Sequence, residues 1–434
     1  MRATQTHQPN WIVRLVRLTW LSSLLSATLA SAIVQTLPAP PVSPAPVVNY
    51  EYDAQSNPTK TIQAPNVAGF DITTTHTYDT LNILIDSTNA KAGVTQFGYN
   101  GRDDLTQIAD PRNLTTQYLR NGLGDVTRLI SPDTGTATHT YDAAGNLKIR
   151  TDSQGGQANH IYDALNRLIR IVYSKGGPLA LNYYWIYDQV GDAYGNGVGR
   201  LTSTVSPTSS TQYAYDPQGR LLTDIQRVKL LAGANSVEIS NTVTYTYDAA
   251  GNVTRILYPS GRRLSITYTD GQPSALNLAN NTTTPPVNLI SAIQWEPFGA
   301  PKSWLWQMAS GTQLYERIHD NYGRIVRYPL GNNVRDITYD AGDRITAYTH
   351  YDASTARATP SLDQSFGYDE LGRLTSVITA TAIWSIGYDA NGNRTSVTQN
   401  ASTSAYTTET TSNRLTSLTN PTRSLSYNNV GNII

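Results

Sequence analysis

The sequence predicts an all-β protein built from tandem antiparallel β-hairpins. Three observations support this prediction. The 434-residue chain is rich in residues that suit sheets, with 56 Thr and 28 Tyr against 4 Phe and 2 Met. A short motif recurs along the chain, at first every 21 residues. One position of that motif holds mainly residues that tolerate a left-handed backbone.

The composition excludes several classes of protein. Lys+Arg and Asp+Glu both number 32, so the chain has no net charge with which to neutralise nucleic-acid phosphates. No nucleic-acid partner is therefore expected. Cysteine is absent, which excludes a disulfide scaffold, a thiolate zinc site and a cysteine nucleophile.

Residues 1–32 are predicted to be a signal peptide. A start with three arginines and an uncharged run over residues 18–32 lead to Ala30-Ser31-Ala32, the small-x-small pattern of a signal-peptidase site. Cleavage after Ala32 would make Ile33 the mature N-terminus. The alternative is an uncleaved membrane anchor, although the run is shorter than the ~20 apolar residues that span a bilayer.

Residues 33–49 are predicted to be a proline-rich linker. Five prolines within nine residues favour extended polyproline geometry, and they are Pro38, Pro40, Pro41, Pro44 and Pro46. Export of a chain without cysteine fits a bacterial cell-envelope or secreted protein. Such a protein would meet the membrane only transiently, during export.

Residues 50–434 repeat one motif, Tyr-Asp-x-x-Gly-Asn/Arg followed by an apolar or β-favouring residue. The first motif positions at Tyr78, Tyr99, Arg120, Tyr141 and Tyr162 lie 21 residues apart. Four copies show the motif most clearly and supply the predicted turn residues, which are Tyr141, Asp142, Gly145, Tyr247, Asp248, Gly251, Tyr368, Asp369, Gly372, Tyr388, Asp389 and Gly392.

The fifth motif position predicts the local backbone. Across sixteen copies from Ser56 to Gly431 it is Gly ten times, and the exceptions are Ser56, Asn82, Asp103, Asn166, Asp343 and Asn413. Gly, Asn and Asp accept positive φ most readily, so this position is predicted to be left-handed. The Asp at position two can accept a hydrogen bond from the backbone two residues on. Each motif is therefore predicted to be a hairpin tip, a type I turn closed by a left-handed residue.

This motif at this spacing resembles the YD repeats of RHS (rearrangement hot spot) proteins, insecticidal toxin-complex shells and teneurins. The resemblance covers roughly residues 50–434. It implies a β-ribbon that spirals into a large hollow shell, with a structural and non-enzymatic role in toxin encapsulation and delivery or in contact-dependent competition. It also implies a C-terminal toxin as cargo.

No catalytic, metal or cofactor site is predicted. Each repeat supplies a single carboxylate, whereas calcium needs several oxygen ligands close together, so turn capping is the expected role of the Asp. His76, His139 and His160 each precede a first motif position by two residues, which places them on the same strand face as the Tyr. Stacking in the sheet is expected there rather than a metal site. The sequence 216–219, Asp-Pro-Gln-Gly, resembles the family's self-cleavage site, but Arg220 replaces the required Leu, so an ordinary tip is predicted.

Three tryptophans in the irregular segment 271–312 are candidates for contact with a ligand or partner. Trp304 and Trp306 share one strand face, and Trp295 lies nearby in sequence. Aromatic faces bind sugar rings and partner proteins, whereas the competing interpretation is that these rings fill the sheet. They support the alternative function, a cell-surface adhesin that recognises glycans or proteins.

Residues 427–434 hold a hairpin tip and the first two positions of a returning strand. Repeat arrays need capped ends, and unpaired sheet edges recruit other chains. The sequence therefore predicts an incomplete shell, truncated at the C-terminus, whose open edge would be covered by a partner chain.

Overall fold

The computed structural model describes residues 37–65, 67, 72–174, 180–232 and 235–434. The predicted cleavage site at Ala30, Ala32 and Ile33 lies outside these residues. Within them, no helix has the length and apolar character needed to cross a membrane.

The predicted all-β fold is confirmed. The described residues form 34 β-strands and one short 3-10 helix, Pro360–Leu362. The paired strands are antiparallel and follow one another in sequence. The fold is thus a meander of hairpins, and the chain divides into two compact units.

Unit 1 comprises the residues up to Thr116 together with Arg317–Ser426. Its first block of strands is β1 (Val48–Tyr52), β2 (Pro58–Gln63), β3 (Ile72–Tyr78), β4 (Leu84–Thr88), β5 (Val94–Tyr99) and β6 (Leu105–Ala109). Its second block is an 11-stranded sheet that contains β24 (Ile318–His319), β25 (Ile325–Leu330), β26 (Asn333–Tyr339), β27 (Ile345–Asp352), β28 (Gln364–Tyr368), β29 (Leu374–Thr379), β30 (Ile383–Tyr388), β31 (Arg394–Gln399), β32 (Ser402–Thr408), β33 (Leu415–Thr419) and β34 (Thr422–Ser424).

Unit 2 comprises Gln117–Glu316 together with Tyr427–Ile434. Its strands are β7 (Thr115–Arg120, which begins at the boundary), β8 (Val126–Ser131), β9 (Gly135–Tyr141), β10 (Leu147–Thr151), β11 (Gln157–Tyr162), β12 (Leu168–Ser174), β13 (Leu181–Tyr187), β14 (Leu201–Val205), β15 (Ser209–Tyr215), β16 (Leu221–Ala232), β17 (Asn235–Tyr247), β18 (Val253–Leu257), β19 (Arg263–Thr269), β20 (Gln272–Ala279), β21 (Val287–Trp295), β22 (Pro301–Met308) and β23 (Gly311–Glu316).

Each motif forms a hairpin tip, and the Asp at position two holds the tip where one is present. In the tip of Tyr141, Gly145 N–H donates to Asp142 O at 3.1 Å and Asp142 N–H donates to Asn146 O at 2.9 Å. Asp142 Oδ1 accepts the N–H groups of Ala144 and Asn146, both at 2.9 Å. The carboxylate therefore satisfies two turn donors that the ladder cannot reach.

The assigned fifth position is left-handed in fifteen of the sixteen copies, with φ from 60° at Asn166 to 105° at Gly191. In the Tyr187 copy the hairpin closes later than assigned, because Tyr187 pairs with Leu201 and Gly199, with φ 79°, precedes the closing Arg200.

Asn413 is the exception. The motif spacing predicts that this copy starts at Glu409, and that frame is wrong, because Thr408 takes the first position. Glu409 N–H donates to Arg414 O, and Thr408 pairs with Leu415, so this tip is one residue longer than the tip of Tyr141. Glu409 takes the Asp position, and its carboxylate accepts a hydrogen bond from Ser412 at 2.5 Å.

The core of both units is thin. The apolar side chains that are fully buried are mostly small, including Ala109, Ala137, Ala158 and Ala279. Most larger apolar side chains are only half-buried. Contacts between neighbouring repeats must therefore supply much of the stability that a thick core gives other proteins.

Candidate functional site

The first motif position joins each repeat to the one before it. The Tyr162 hydroxyl donates to the carbonyl of Leu147, the first residue after the preceding tip, at 3.0 Å. Ten tyrosines make this bond, at 2.6–3.0 Å, and they are Tyr78, Tyr99, Tyr141, Tyr162, Tyr215, Tyr247, Tyr268, Tyr339, Tyr368 and Tyr388. We call this series the tyrosine ladder.

Trp295 belongs to the tyrosine ladder as well. Its indole Nε1 donates to Pro273 O at 2.9 Å, which is the bond that a tyrosine hydroxyl makes elsewhere. The structure thus gives Trp295 a role in joining repeats, different from the ligand contact that the sequence suggested.

The sixth motif position joins tips to one another when it is Arg. Arg373 Nε donates to Asp369 Oδ2 in its own tip at 2.7 Å, and Nη1 donates to Asp389 O in the next tip at 2.8 Å. Its guanidinium carbon lies 4.8 Å from the centre of the Tyr388 ring. Five arginines pair with their own tip's Asp and cover the next tip's Tyr, and they are Arg167, Arg220, Arg324, Arg344 and Arg373.

Asn at the sixth position uses a different partner. Asn146 Nδ2 donates to Asp142 Oδ2 at 3.1 Å and to Asn166 Oδ1, the fifth position of the next tip, at 3.0 Å. The same pairing joins Asn57 to Asn82 and Asn393 to Asn413. We did not predict this role from the sequence. Its signal is present, because in each of the three pairs a tip with Asn at position six is followed by a tip with Asn at position five.

Trp304 and Trp306 lie together, as their spacing predicts. The Trp304 ring stacks on Tyr315 of the neighbouring strand with centroids 4.4 Å apart and meets Trp306 edge-on at 6.4 Å. All three residues are half-buried. Since one face of Trp304 is already covered by Tyr315, this geometry favours packing within the sheet over an open aromatic platform.

The histidines stay apart. β10 separates His139 on β9 from His160 on β11, and the register sets His139 level with Ala158, two residues from His160, so the two histidine Cα atoms lie roughly 12 Å apart. Among the described residues, the Nδ1 atoms of His76, His139 and His160 are buried without a hydrogen-bond partner. Burial, and then the charge of Arg150 opposite it, lower the pKa of His139. A neutral His139 that packs in the sheet is consistent with this environment.

The Asp-Pro-Gln-Gly sequence forms an ordinary tip, as predicted. Asp216 Oδ1 accepts Arg220 N–H at 2.9 Å, and Asp216 Oδ2 accepts Arg220 Nε at 2.6 Å. Both carboxylate oxygens are therefore used within the turn.

In unit 1, tips of the second block lie against turns at the far end of the first block's hairpins. Arg112, in the turn between β6 and β7, donates to Glu409 O at 2.6 Å and Ser412 O at 2.9 Å. Asn391 Nδ2 donates to Asp110 Oδ2 at 2.6 Å. We call these tip-to-turn contacts the seam of unit 1, and Lys91 and Glu370 extend it with an ion pair at 2.7 Å.

A similar contact occurs within unit 2. A β-carbon on Gly431 would lie 2.8 Å from Asp133 O, and one on Gly135 would lie 3.0 Å from Asn429 O. The tip of residues 428–432 therefore packs on the turn of residues 131–135 so closely that glycine is required on both sides.

Comparison with known proteins identifies the repeat. A family model described as RHS Repeat matches residues 195–227, 238–263 and 368–405. No curated protein matches the sequence. The resemblance inferred from the Tyr-Asp motif is therefore confirmed.

Solved structures of toxin complexes share the fold. The crystal structure of TcdB2-TccC3 without its hypervariable C-terminal region matches with a TM-score of 0.72 at 14% identity, over 89% of this chain and 24% of that chain. A mutant Tc holotoxin pore of Photorhabdus luminescens gives a TM-score of 0.72 at 14% identity, over 89% of this chain and 23% of that chain. This chain thus spans about a quarter of the length of the solved chains that it matches.

Proposed function

We propose that this chain, an RHS/YD-repeat protein with the fold of toxin-complex shells, is a non-enzymatic segment of an exported shell that encloses or delivers a toxin. The observation that carries the proposal is the tyrosine ladder, which ties repeat to repeat along both units. Such a ladder can extend a wall repeat by repeat. Its hydrogen bonds use the hydroxyl groups of the motif tyrosines within the sheet.

The chemistry of the tips supports a structural role. Each tip Asp with a position-six Arg or Asn uses Oδ1 for turn N–H groups and Oδ2 for that side chain, as at Asp369 and Asp142. Hydrogen bonds to the charged form lower the pKa of Asp142, led by Asn146. A carboxylate held ionised by its own turn is a capping group and a poor general acid.

The partners we propose follow from the same likeness. The matching structures are of assemblies of TcdB2 with TccC3, and one includes Cdc42. For this chain, the proposed partner is a toxin cargo at its C-terminal side or a second chain that completes the wall. The proposed location is the bacterial envelope or the exterior, reached through residues 1–32.

Encapsulation can be tested with a fused cargo. An unstructured reporter polypeptide placed after Ile434 should be cleaved more slowly than the free polypeptide when the chain is folded, because even a segment of the wall would shield one side of it. The matched control carries the same reporter before the proline-rich segment. Cleavage of both reporters at the rate of the free polypeptide, with the chain itself intact, would contradict the proposal.

Export is tested separately. A reporter fused to residues 1–49 should cross the inner membrane and begin at Ile33. Retention in the cytoplasm would contradict export, and a translocated reporter that keeps its N-terminus would favour the anchor.

The adhesin alternative would need Trp304 and Trp306 to contact a ligand, whereas the stacking of Trp304 on Tyr315 favours packing within the sheet. A glycan array that compares the chain with its Trp306→Ala variant tests it. Specific binding that this substitution abolishes would favour the adhesin over the shell.

A further inference from the structure

The proline-rich segment, residues 37–47, packs against unit 1 instead of standing free. It is extended, as predicted, and forms no strand before Val48. Ser43 is only 8% exposed, whereas the adjacent Val42 is 96% exposed. A detached spacer would leave both side chains in solvent. A defined surface of the protein must therefore bury Ser43.

The receiving surface belongs to the second block of unit 1. Three oxygens of the segment accept hydrogen bonds from residues at or beside β25 and β26. The pairs are Arg327 Nη1 to Pro38 O at 2.8 Å, Arg324 Nη2 to Pro44 O at 3.0 Å and Tyr339 N–H to Ser43 Oγ at 2.9 Å. These donors and acceptors lie 280–296 residues apart in sequence.

A buried ion pair orients one of these donors. Arg327 and Asp336 face each other across β25 and β26, with Nε–Oδ1 at 2.5 Å and Nη2–Oδ2 at 2.6 Å. They are 6% and 3% exposed. A two-pronged pair fixes the guanidinium plane, which leaves Nη1 directed at the Pro38 carbonyl.

Both faces of this strand pair are buried. Successive strand residues point to opposite faces, so Val326 lies on the face away from Arg327, and it is 3% exposed. Antiparallel sheets commonly leave one face in water, and elsewhere in this chain most side chains are half-buried. The proline-rich segment supplies cover on the Arg327 face.

The chemistry of the two surfaces is complementary. Proline has no backbone N–H, so a segment with five prolines is poor in donors and rich in carbonyl acceptors. Its extended polyproline form has no internal hydrogen bonds and is prepared for binding at low entropic cost. The surface presents two guanidinium groups and a backbone N–H, which are all donors.

We propose that Arg324, Arg327 and Tyr339 form a recognition site for an extended proline-rich segment, and that residues 37–47 occupy it in cis. The bound segment is a clasp. It continues directly into β1, so it joins the first block of unit 1 to the second block. The proposal is independent of the shell function.

Thiol labelling tests the clasp, because the chain has no cysteine of its own. Ser43→Cys and Val42→Cys are neighbours with opposite exposure, so each serves as the control of the other. In the folded full-length chain, the thiol at position 43 should react with a maleimide at least about tenfold more slowly than that at position 42, since reaction requires local opening. The two rates should converge in denaturant. Equal rates in the folded chain would overturn the clasp.

Binding in trans tests recognition. In a full-length variant whose residues 37–47 are replaced by a permuted sequence of the same composition, a fluorescent peptide of residues 37–47 should bind one to one, whereas the parent chain, whose site is filled, should not bind it. A permuted peptide of the same composition is the control. Failure to bind by a variant that keeps its sheet spectrum, or equal binding of the permuted peptide, would overturn recognition. If that variant loses its sheet spectrum, Ser43→Trp, whose side chain is too large for the buried position, replaces it.

Discussion

Positive φ is the constraint that each tip places on a single residue. The sequence predicts it correctly at fifteen positions, because Gly, Asn and Asp stand out where a β-carbon is unfavourable. The prediction fails at Asn413 because one inserted residue moves the frame without changing the residue types. The hydrogen bond of the motif tyrosine is missed for another reason. Its acceptor lies in the preceding repeat, and the sequence spacing alone does not specify that contact.

The Gly145 position gives a clean measure of backbone strain. Its φ is 84°, and no atom lies within 4 Å of the place that a β-carbon would take, so a side chain there meets no steric obstacle. Gly145→Val should therefore lower the free energy of unfolding by about 1–3 kcal/mol through the backbone alone. Urea unfolding measures it. Gly101→Val is the control, since Gly101 also has open space but no positive φ, and an equal loss in both variants would contradict the assignment.

The tyrosine ladder predicts a cost for removing one oxygen atom. Tyr162→Phe deletes the donor to Leu147 O and keeps the ring. The free energy of unfolding should fall by about 0.5–1.5 kcal/mol, the net value of a typical hydrogen bond. Tyr173→Phe, at a 44% exposed residue outside the ladder, should leave the urea midpoint unchanged. If Tyr162→Phe left the free energy of unfolding unchanged, the hydrogen bond would contribute nothing to stability, which would contradict the prediction.

At the scale of the hairpin, the strands are the easiest part to predict and the links between tips the hardest. Alternating Thr, Tyr, Val and Ile, together with regular turns, define a hairpin locally. The link through Arg373 depends on three residues in two tips. The sequence does not reveal it, because Arg at a turn looks like an ordinary solvated side chain.

Arg373→Lys should separate charge from geometry. Lysine keeps the positive charge but cannot reach Asp369, the Asp389 carbonyl and the Tyr388 ring at once. We expect a loss of about 1–2 kcal/mol in unfolding free energy. The same change at the exposed Arg394 should have little effect. Equal behaviour of the two lysine variants in thermal denaturation would mean that charge alone matters.

At the scale of the whole chain, contacts between distant residues organise unit 1. The seam joins residues 279–301 positions apart, and the clasp joins residues 280–296 positions apart. Repeat periodicity predicts which residues pair with the next repeat, but it contains no information about which distant repeats meet. For that reason the composition of the proline-rich segment indicates only a linker.

Arg112 makes the largest number of hydrogen bonds in the seam of unit 1. Arg112→Met should remove its hydrogen bonds to the carbonyls of Glu409 and Ser412 and reduce the unfolding free energy by about 1.5–3 kcal/mol. Hydrogen exchange should rise at residues 409–414 first. Arg128→Met, at an exposed position, is the matched control. Unchanged exchange at residues 409–414 would contradict the role of Arg112.

The tyrosine ladder also predicts an alkaline limit to stability. Burial raises the pKa of eight ladder tyrosines, which are Tyr78, Tyr99, Tyr141, Tyr162, Tyr215, Tyr247, Tyr339 and Tyr368. A raised folded-state pKa means that the folded chain holds these protons more tightly than the unfolded chain does. This stability is complete below the unfolded value of about 10 and is lost as pH rises through the folded values. A urea midpoint that stays constant well above pH ~10 would contradict it.

The direction of the tyrosine ladder has a consequence for the order of folding. Every ladder bond runs from a tip back to the repeat that precedes it, so a repeat emerging from a pore finds its acceptor already outside. Strand pairing between sequence neighbours is equally local and fast. Assembly can thus advance from the N-terminus in step with translocation and need not wait for downstream sequence. The clasp, the seam and the contact of residues 428–432 with residues 131–135 must wait for later repeats, and closure of the clasp and the seam would complete unit 1.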